Sequence, residues 1–308
     1  MKKVAFIFPG QGSQSMGMGK EFYDSSDIAK KMIEDASQKL GFDFKELLFE
    51  ENDKLSQTAY TQPAILLVSA IAHKLFENEM NIKPVFALGH SLGEFSALCA
   101  VGALDYLDGV ALVHQRGKLM AQACSGVDAG MMALIGLDDA KVEEITETAR
   151  EEGKKVWAAN YNSDGQIVAA GIKSDLASLE STFKEAGAKR AILLSMSVAS
   201  HCPLLESAVA PLQESMNAVI KDEFSAPIIS NVTASGYQSK DEAISLLAQQ
   251  LTAPVLYKQS IKNFEADIDL FIEFGSNALK GINRRGTKVP THSIVDMKSL
   301  QVAFELLS

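Results

Sequence analysis

Short apolar runs alternate with longer amphipathic stretches along this 308-residue chain, and that alternation is what most constrains its fold. Val4–Phe8 and Val85–Leu88 are predicted strands, whereas Pro63–Phe76, Glu94–Leu104 and Tyr106–Ala121 are predicted helices. Parallel strands need long crossover connections, which are usually helices. The pattern therefore predicts a mainly parallel sheet between layers of helices, a three-layer α/β body.

A segment at 129–195 has its own order of predicted elements. These are Met131–Ile135, Asp139–Glu152, Val156–Asn160, Gln166–Ala170, Ser174–Ala186 and Arg190–Leu194. The order strand, helix, strand, strand, helix, strand is that of a ferredoxin-like βαββαβ unit. Strands that complete the first sheet are predicted further on, at Pro227–Val232, Leu270–Phe274 and His292–Val295. We therefore predict a subdomain at 129–195 inserted into a body formed by 1–128 and 196–308, with the ligand site in the cleft between them.

The composition excludes several classes of protein. Hydrophobic residues make up 47% of the chain and charged residues 22%, as in ordinary globular proteins, so wholesale disorder is excluded. With 29 Lys and Arg against 39 Asp and Glu, the net charge of −10 argues against a broad nucleic-acid surface. The longest apolar stretch, Ala64–Ala72, is too short to span a bilayer. We expect neither a nucleic-acid nor a membrane partner.

The cysteines and the N-terminal residues bear on the cellular compartment. Cys99, Cys124 and Cys202 are odd in number and have no C-x-x-C spacing, which favours reduced thiols over a disulfide framework or a metal site. The apolar run Val4–Phe8 ends at Pro9 with no cleavage-like region, so it predicts a buried strand rather than a signal peptide. A cytoplasmic protein without a bound metal is expected.

Gly89-His90-Ser91-Leu92-Gly93 is a G-x-S-x-G pattern that lies between a predicted strand and a predicted helix. The apolar run Pro84–Leu88 precedes it, and a predicted helix begins at Glu94. A sharp strand-to-helix turn around an exposed serine needs glycines on both sides, because their missing Cβ atoms relieve crowding. The turn also puts Ser91 at a helix N-terminus, where free N–H groups favour developing negative charge. The alternative is an ordinary turn with no chemistry.

A serine at such a turn needs a general base, because its hydroxyl is a weak nucleophile. The chain has five histidines: His73, His90, His114, His201 and His292. One of them is next to the serine on the same tight turn, and two lie in predicted helices. His201 follows a predicted strand, and strand ends are where α/β sheets place their sites. Spacing alone favours His201 only narrowly over His292, which begins another predicted strand.

A glycine-rich loop, residues 9–19, follows the first predicted strand. A Rossmann phosphate loop would need glycine where Ser15 stands, and a Walker loop would need glycine where Gln14 stands. The loop backbone can still approach a ligand and direct an N–H group at it, as an oxyanion hole requires. A purely structural tight turn is the alternative.

Several motifs occur together in a fixed order. They are Pro9-Gly10-Gln11-Gly12-Ser13-Gln14, Gly89-His90-Ser91-Leu92-Gly93-Glu94, Gln115-Arg116-Gly117, Asn160-Tyr161-Asn162-Ser163-Asp164-Gly165-Gln166, Ser200-His201, Asn231-Val232, Gln250-Leu251 and Glu273-Phe274-Gly275. With them the chain resembles, over its whole length, the malonyl-CoA:acyl-carrier-protein transacylases, the free-standing acyltransferases of bacterial type II fatty-acid synthesis. The resemblance implies a hydrolase-like catalytic body that carries a ferredoxin-like insertion.

The resemblance also implies catalytic roles. Ser91 would attack the thioester of malonyl-CoA, with His201 as general base. The backbone N–H groups of Gln11 and Leu92 would form the oxyanion hole. A second thiol, on the phosphopantetheine arm of acyl carrier protein, would then take the malonyl group from Ser91 in a ping-pong exchange.

Two further roles concern specificity and orientation. Arg116 would hold the free carboxylate of the malonyl group, because a guanidinium makes two parallel charge-assisted bonds to a carboxylate. Without the resemblance, a solvated helix arginine is the default interpretation of Arg116. The backbone carbonyl of Gln250 would accept a hydrogen bond from His201. Ala199 stands where the family usually has proline, and Tyr161 replaces a common phenylalanine. Because Ala199 and Ser200 beside the histidine are small, the exclusion of methylmalonyl stays open.

The expected partners are malonyl-CoA and acyl carrier protein, with no cofactor and with a monomeric enzyme. Because the carrier is acidic, docking needs local positive charge, and the basic clusters are Lys189, Arg190, Arg284, Arg285 and Lys288. A serine thioesterase, an acyltransferase for another acyl-CoA such as methylmalonyl-CoA, and a non-catalytic binding module are the alternatives.

Overall fold

The computed structural model describes residues 2–196 and 198–308. The strands in these ranges are β1 Val4–Phe8, β2 Ala87–Gly89, β3 Ala129–Ile135, β4 Val156–Ser163, β5 Gln166–Ile172, β6 Arg190–Leu193, β7 Ile228–Ile229, β8 Gly236–Tyr237, β9 Leu270–Phe274 and β10 Thr291–Ile294. The helices are α1 Lys20–Ser25, α2 Asp27–Leu40, α3 Phe44–Phe49, α4 Thr58–Glu79, α5 Gly93–Ala100, α6 Tyr106–Ala123, α7 Asp139–Glu151, α8 Lys173–Ser178, α9 Glu180–Glu185, α10 Glu206–Val219, α11 Lys240–Gln249, α12 Tyr257–Phe264, α13 Ala278–Gly286 and α14 Met297–Leu307.

The larger sheet has the strand order β10-β9-β1-β2-β7-β8. Neighbouring strands run parallel, except that β8 pairs antiparallel with β7. Both faces of the sheet are buried: Phe6 and Phe8 of β1 pack into one core with α4 and α5, whereas Ala5 and Ile7 pack into another with α12 and α13. Successive side chains of a strand point to opposite faces. The predicted three-layer α/β body with a mainly parallel sheet is confirmed.

The smaller sheet is antiparallel and has the order β4-β5-β3-β6. Its elements follow the predicted βαββαβ order and enclose a separate core of buried apolar residues with α7, α8 and α9. The smaller sheet is joined to the main chain just before α12, since the Tyr161 N–H of β4 donates to the Val255 carbonyl and the Val255 N–H donates to the Ala159 carbonyl. Lys262 adds an ion pair with Asp164 at 3.0 Å.

Several predicted elements have other bounds in the structure, among them the helix predicted over 94–104, which ends at Ala100, and two differ in more than their bounds. The helix predicted over 174–186 is interrupted at Leu179, whose N–H bonds to the Leu176 carbonyl in a tighter 3₁₀-type turn. The strand predicted over 227–232 pairs only at Ile228 and Ile229. It ends there because the Ser230 N–H bonds to the Ser235 carbonyl and reverses the chain. Within the described ranges, no helix combines the length and apolar composition needed to cross a membrane.

The turn from β2 into α5 is packed so tightly that it tolerates no Cβ atom at its glycines. A Cβ on Gly93 would lie 2.1 Å from the Phe8 carbonyl oxygen at the end of β1. A Cβ on Gly89 would lie 1.8 Å from the Gly93 carbonyl carbon. Helix α5 therefore begins directly against the carboxyl end of β1, and this contact holds Ser91 at the sheet edge.

We predict that Gly93→Ala lowers the free energy of unfolding by about 3 kcal/mol, because the backbone atoms that meet the new Cβ cannot move aside. Gly281→Ala is the matched control: Gly281 is exposed within α13, and a Cβ added there would meet no described atom within 4 Å. At that position the exchange should stabilise the protein by up to about 1 kcal/mol through helix propensity. Urea unfolding of both variants measures the difference, and equal stability would contradict the prediction.

Candidate active site

A cavity of about 400 Å³ lies between the two sheets, within the size range of small-molecule sites. The parallel sheet's side contributes Gln11, Ser91, Leu92, Arg116 and His201, and the antiparallel sheet contributes Met131, Asn160, Asn162 and Val168. The β1 and β2 carboxyl ends lead into this cavity, where open α/β sheets bind ligands. The sequence-predicted site residues on the glycine-rich loop, the G-x-S-x-G turn and α6 thus meet in one place.

Ser91 lies in a strained backbone conformation that the surrounding residues hold. Its φ angle is +52°, in the left-handed region that non-glycine residues rarely adopt. The Ser91 N–H donates to Asn231 Oδ1 at 2.6 Å, and the Asn231 side-chain amide donates to the Gly89 carbonyl at 2.7 Å. The asparagine therefore closes the turn from outside, and its role was not part of the sequence prediction.

His201 also has a left-handed backbone, with φ at +61°. Its Nδ1 lies 2.7 Å from the Gln250 backbone oxygen, the contact that the resemblance implied. Because a carbonyl can only accept, Nδ1 carries the proton and Nε2 is the free basic nitrogen. Burial, together with the nearby charge of Arg116, lowers the His201 pKa to about 3, so the imidazole is neutral at physiological pH and can take a proton.

The other candidate histidine lies elsewhere. His292 is on β10, where its Nε2 bonds to the Ser299 carbonyl at 2.7 Å. It does not line the cavity that contains Ser91. Among the described residues, no direct hydrogen bond joins Ser91 Oγ to His201; the hydroxyl accepts one from Arg116 Nη2 at 3.2 Å. Of His201 and His292, it is therefore His201 that shares the cavity and the cationic neighbour Arg116 with the serine.

Two backbone N–H groups at the cavity are available to a ligand. Those of Gln11 and Leu92 bond to no acceptor among the residues that the structure describes. The Gln11 side chain is engaged instead, donating to Thr58 Oγ1 at 3.1 Å, which steadies the loop. The two amides come from different loops, the arrangement in which an oxyanion hole is built.

Arg116 is only 1% exposed, so the default interpretation as a solvated helix arginine is wrong. Its guanidinium donates to Gln62 Oε1 at 2.8 Å, to Gln250 Oε1 at 3.0 Å and to the Ser91 hydroxyl. Burial lowers the Arg116 pKa to about 10 and Glu94 opposes that shift, so the side chain stays cationic at neutral pH. A buried cation beside a nucleophile is suited to binding an anionic group of a substrate.

Behind Arg116 lies a polar network that sequence reasoning missed. The Gln250 side-chain amide donates to the Ser91 carbonyl at 3.2 Å and to Glu94 Oε2 at 2.8 Å. Glu94 Oε2 also accepts from the Asn231 N–H at 3.1 Å. Glu94 is 1% exposed, and burial raises its pKa to about 7. The quoted motifs contain Glu94, Asn231 and Gln250, but nothing in them indicated that these three side chains meet.

The basic residues predicted for carrier docking are all exposed: Lys189, Arg190, Arg284, Arg285 and Lys288. The arginine pair lies on α13, two and three residues after Ile282, which lines the cavity. Lys189 and Arg190 lie at the start of β6, five and four residues before Leu194 at the cavity. The α13 pair therefore follows a cavity-lining residue more closely in the chain.

A larger cavity, of about 840 Å³, lies between α2, α4 and α5. It contains Cys99 and His73, but burial raises the Cys99 pKa above its usual range and lowers that of His73 to about 4. A protonated thiol is a poor nucleophile, so this cavity lacks the reactive group found at Ser91. No cluster of potential metal ligands occurs among the described residues.

Comparison with known proteins agrees with this geometry. The family model "Acyl transferase domain" matches residues 5–302. The malonyl CoA-acyl carrier protein transacylase of Bacillus subtilis (strain 168) is 37% identical over 100% of this chain and 98% of its own length. The Escherichia coli (strain K12) protein of the same name is 35% identical over 98% and 99%.

Solved structures match equally well. The malonyl-CoA:acyl carrier protein transacylase from Helicobacter pylori superimposes with a TM-score of 0.97 and 47% identity, over 100% of this chain and 99% of that one. A malonyl-transacylase in complex with a type II PKS acyl-carrier protein gives a TM-score of 0.95 with 31% identity over 99% of both chains. The chain therefore belongs to the acyltransferase family and, within it, to the malonyl CoA-acyl carrier protein transacylases.

Proposed function

We propose that this protein transfers the malonyl group from malonyl-CoA to the phosphopantetheine thiol of acyl carrier protein, through a malonyl ester on Ser91. The observation that carries the proposal is the buried guanidinium of Arg116, which donates a hydrogen bond to the Ser91 hydroxyl. The Arg116 guanidinium, which can bind a carboxylate, is thereby held next to the Ser91 hydroxyl that would be acylated. The names of the relatives and the solved carrier-protein complex support the same substrates.

The first half-reaction acylates the serine. His201 Nε2 takes the Ser91 proton as Oγ attacks the thioester carbonyl, and the oxyanion is held by the N–H groups of Gln11 and Leu92. Each such donor contributes about 3 kcal/mol in the transition state. As the carbon–sulfur bond breaks, His201 returns the proton to the departing thiolate, so coenzyme A leaves as a thiol.

The second half-reaction reverses these steps with the carrier's thiol. His201 removes its proton, the thiolate attacks the Ser91 ester, and the Ser91 oxygen regains the proton as it leaves. The carbonyl of Gln250, a dipole rather than a full charge, orients the imidazole. Because attack by a thiol needs only a mild base, a carboxylate at this position is not required.

Selection of malonyl rests on its carboxylate. Arg116 would bind the carboxylate in the cavity while the thioester carbonyl lies at Ser91. Ala199 and Ser200 beside the histidine are small, so the proposal invokes attraction of the carboxylate and no steric exclusion of a methyl branch. We also propose that the enzyme acts as a monomer, without a cofactor, in the cytoplasm. The three cysteines, which form no disulfide among the described residues, support the cytoplasmic location.

We predict that wild-type protein gains the mass of one malonyl group when incubated with malonyl-CoA and that Ser91→Ala does not, because the ester forms on that hydroxyl. Intact-mass spectrometry measures the adduct. With pantetheine added, malonyl-pantetheine should exceed free malonate. Dominant malonate at saturating thiol would favour a thioesterase, and an adduct on Ser91→Ala would exclude Ser91 as nucleophile.

We predict that Arg116→Ala lowers kcat/KM for malonyl-CoA roughly 30-fold to 5,000-fold, which corresponds to a loss of about 2–5 kcal/mol of transition-state stabilisation. The kcat/KM for acetyl-CoA should stay unchanged. The loss follows from removing the only cation proposed to contact the substrate carboxylate. Arg116→Lys keeps the charge but loses the bidentate fork, so it should recover only part of the activity. The ratio of the two kcat/KM values is the measurement, and an equal loss with both thioesters would refute the carboxylate role.

We predict that the double variant Arg284→Glu/Arg285→Glu weakens use of acyl carrier protein, because the carrier is acidic, and leaves formation of the malonyl ester unchanged. Lys30→Glu/Lys31→Glu on α2 is the matched control, with the same charge change on an exposed helix outside the cavity. Transfer rates to the carrier and to free pantetheine are compared. Equal loss of both half-reactions would exclude docking at α13.

A further inference from the structure

Glu94 is a buried carboxylate that the transfer mechanism does not use. It lies on the first turn of α5, three residues after Ser91, and is 1% exposed. Its Oε2 accepts two hydrogen bonds, from Gln250 Nε2 and from the Asn231 N–H, whereas its Oε1 is buried without a hydrogen-bond partner among the described residues. An isolated buried carboxylate is costly unless a positive charge offsets it.

The positive charge that offsets it is Arg116, one amide group away. The Gln250 side chain donates to Glu94 and accepts from Arg116, so it bridges the two charges. The Arg116 Nε–H is buried with no partner among the described residues. In the free enzyme, therefore, one buried cation is balanced by one buried anion, and the cation has one donor that no described residue satisfies.

A bound malonyl group changes that balance. Its carboxylate would add a second anion to a buried cluster with a single cation, if the proposed function is right. Two carboxylates near one buried site cannot both stay ionised without a large cost, and one of them takes up a proton. The substrate carboxylate makes direct charge-assisted bonds to Arg116, whereas Glu94 reaches it only through an amide, so Glu94 is the group that becomes neutral.

We propose that Glu94 is a positioning residue that balances the charge of Arg116 in the empty enzyme and takes up a proton when a substrate carboxylate binds to Arg116. Binding of a malonyl thioester then differs from binding of an acetyl thioester in two ways: the carboxylate contacts Arg116, and the enzyme takes up one more proton. The proton comes from solvent and returns to it when the acyl group leaves for the carrier. No bond to Glu94 is made or broken other than to this proton.

The titratable groups around Glu94 agree with this assignment. Hydrogen bonds from the Asn231 N–H and the Gln250 amide lower its pKa most, and the charge of Arg116 on α6 lowers it further. Tyr237 on β8 is the other titratable neighbour, and its hydroxyl has no hydrogen-bond partner among the described residues. Glu242 on α11 acts on Tyr237. Burial outweighs these contributions and raises the Glu94 pKa to about 7, so the group is ready to gain a proton near neutral pH. Binding that takes up a proton weakens as pH rises, so malonyl affinity should fall above this pKa.

Calorimetry on the Ser91→Ala protein tests the proposal without turnover. Malonyl-CoA and acetyl-CoA are titrated in two buffers of different ionisation enthalpy, and the difference gives the protons taken up. The phosphates of coenzyme A are common to both ligands and cancel. Malonyl-CoA should take up about one proton more than acetyl-CoA at about pH 8 and almost none more at about pH 6, and its affinity should fall up to tenfold per pH unit above about 7.

Glu94→Gln in the same background should abolish the extra proton and flatten the pH dependence of malonyl affinity. Glu273→Gln is the matched control, and the uptake should persist there. Among the described residues, Glu273 is the other fully buried glutamate, and it accepts hydrogen bonds from the Leu279 N–H and from Ser293 Oγ.

Two results would overturn the proposal: equal proton uptake with both thioesters, or extra uptake that persists in Glu94→Gln. If Glu94→Gln does not fold, the comparison of the two thioesters on the Ser91→Ala protein still decides. Failure of the proposed function has a different signature, since wild-type protein would then form no malonyl ester on Ser91. A protein that forms the ester but shows no proton difference contradicts only the inference on Glu94.

Discussion

Gln250 makes the contacts on which the arrangement of the site depends. Its backbone oxygen accepts a hydrogen bond from the His201 Nδ1–H, and its side-chain amide contacts Arg116, Glu94 and the Ser91 carbonyl. The base, the carboxylate-binding cation and the nucleophile's main chain are therefore positioned by one fully buried residue. Because main chain and side chain move together, a shift that loosens the imidazole also loosens the guanidinium. Orientation of the base and recognition of the substrate are mechanically coupled.

The parts of the fold that could be predicted from sequence are those set by local patterns. The run Val4–Phe8 and the βαββαβ order were predicted because apolar periodicity and turn residues act over a few positions. The Ser91 turn was predicted because its glycines are required by short-range packing against β1. The pairing at Ile228 ends early because Ser230 bonds to Ser235, a competition between strand and turn that hydrophobicity does not reveal.

The polar network of the site could not be predicted because its members are distant in sequence. Arg116 lies on a helix whose pattern allows a solvated position, and only tertiary packing against α4 places it beside Gln62. The family resemblance assigned roles to Arg116 and Gln250, but only the structure shows which residues surround them. Glu94 was visible as a residue next to the turn, but its partners Asn231 and Gln250 are more than a hundred positions away. The residues next to Glu94 in the sequence do not indicate that its carboxylate offsets the charge of Arg116.

Both reacting side chains sit on main chain that L-amino acids avoid, with φ at +52° for Ser91 and +61° for His201. Such conformations cost about 1–3 kcal/mol each and persist only where the surrounding structure enforces them. Glycine adopts them without that cost. Replacing either residue by glycine would thus relax the fold while removing the chemistry. Selection for thermal stability alone would therefore favour inactive variants of this protein, and Ser91 and His201 are kept only under selection for catalytic activity.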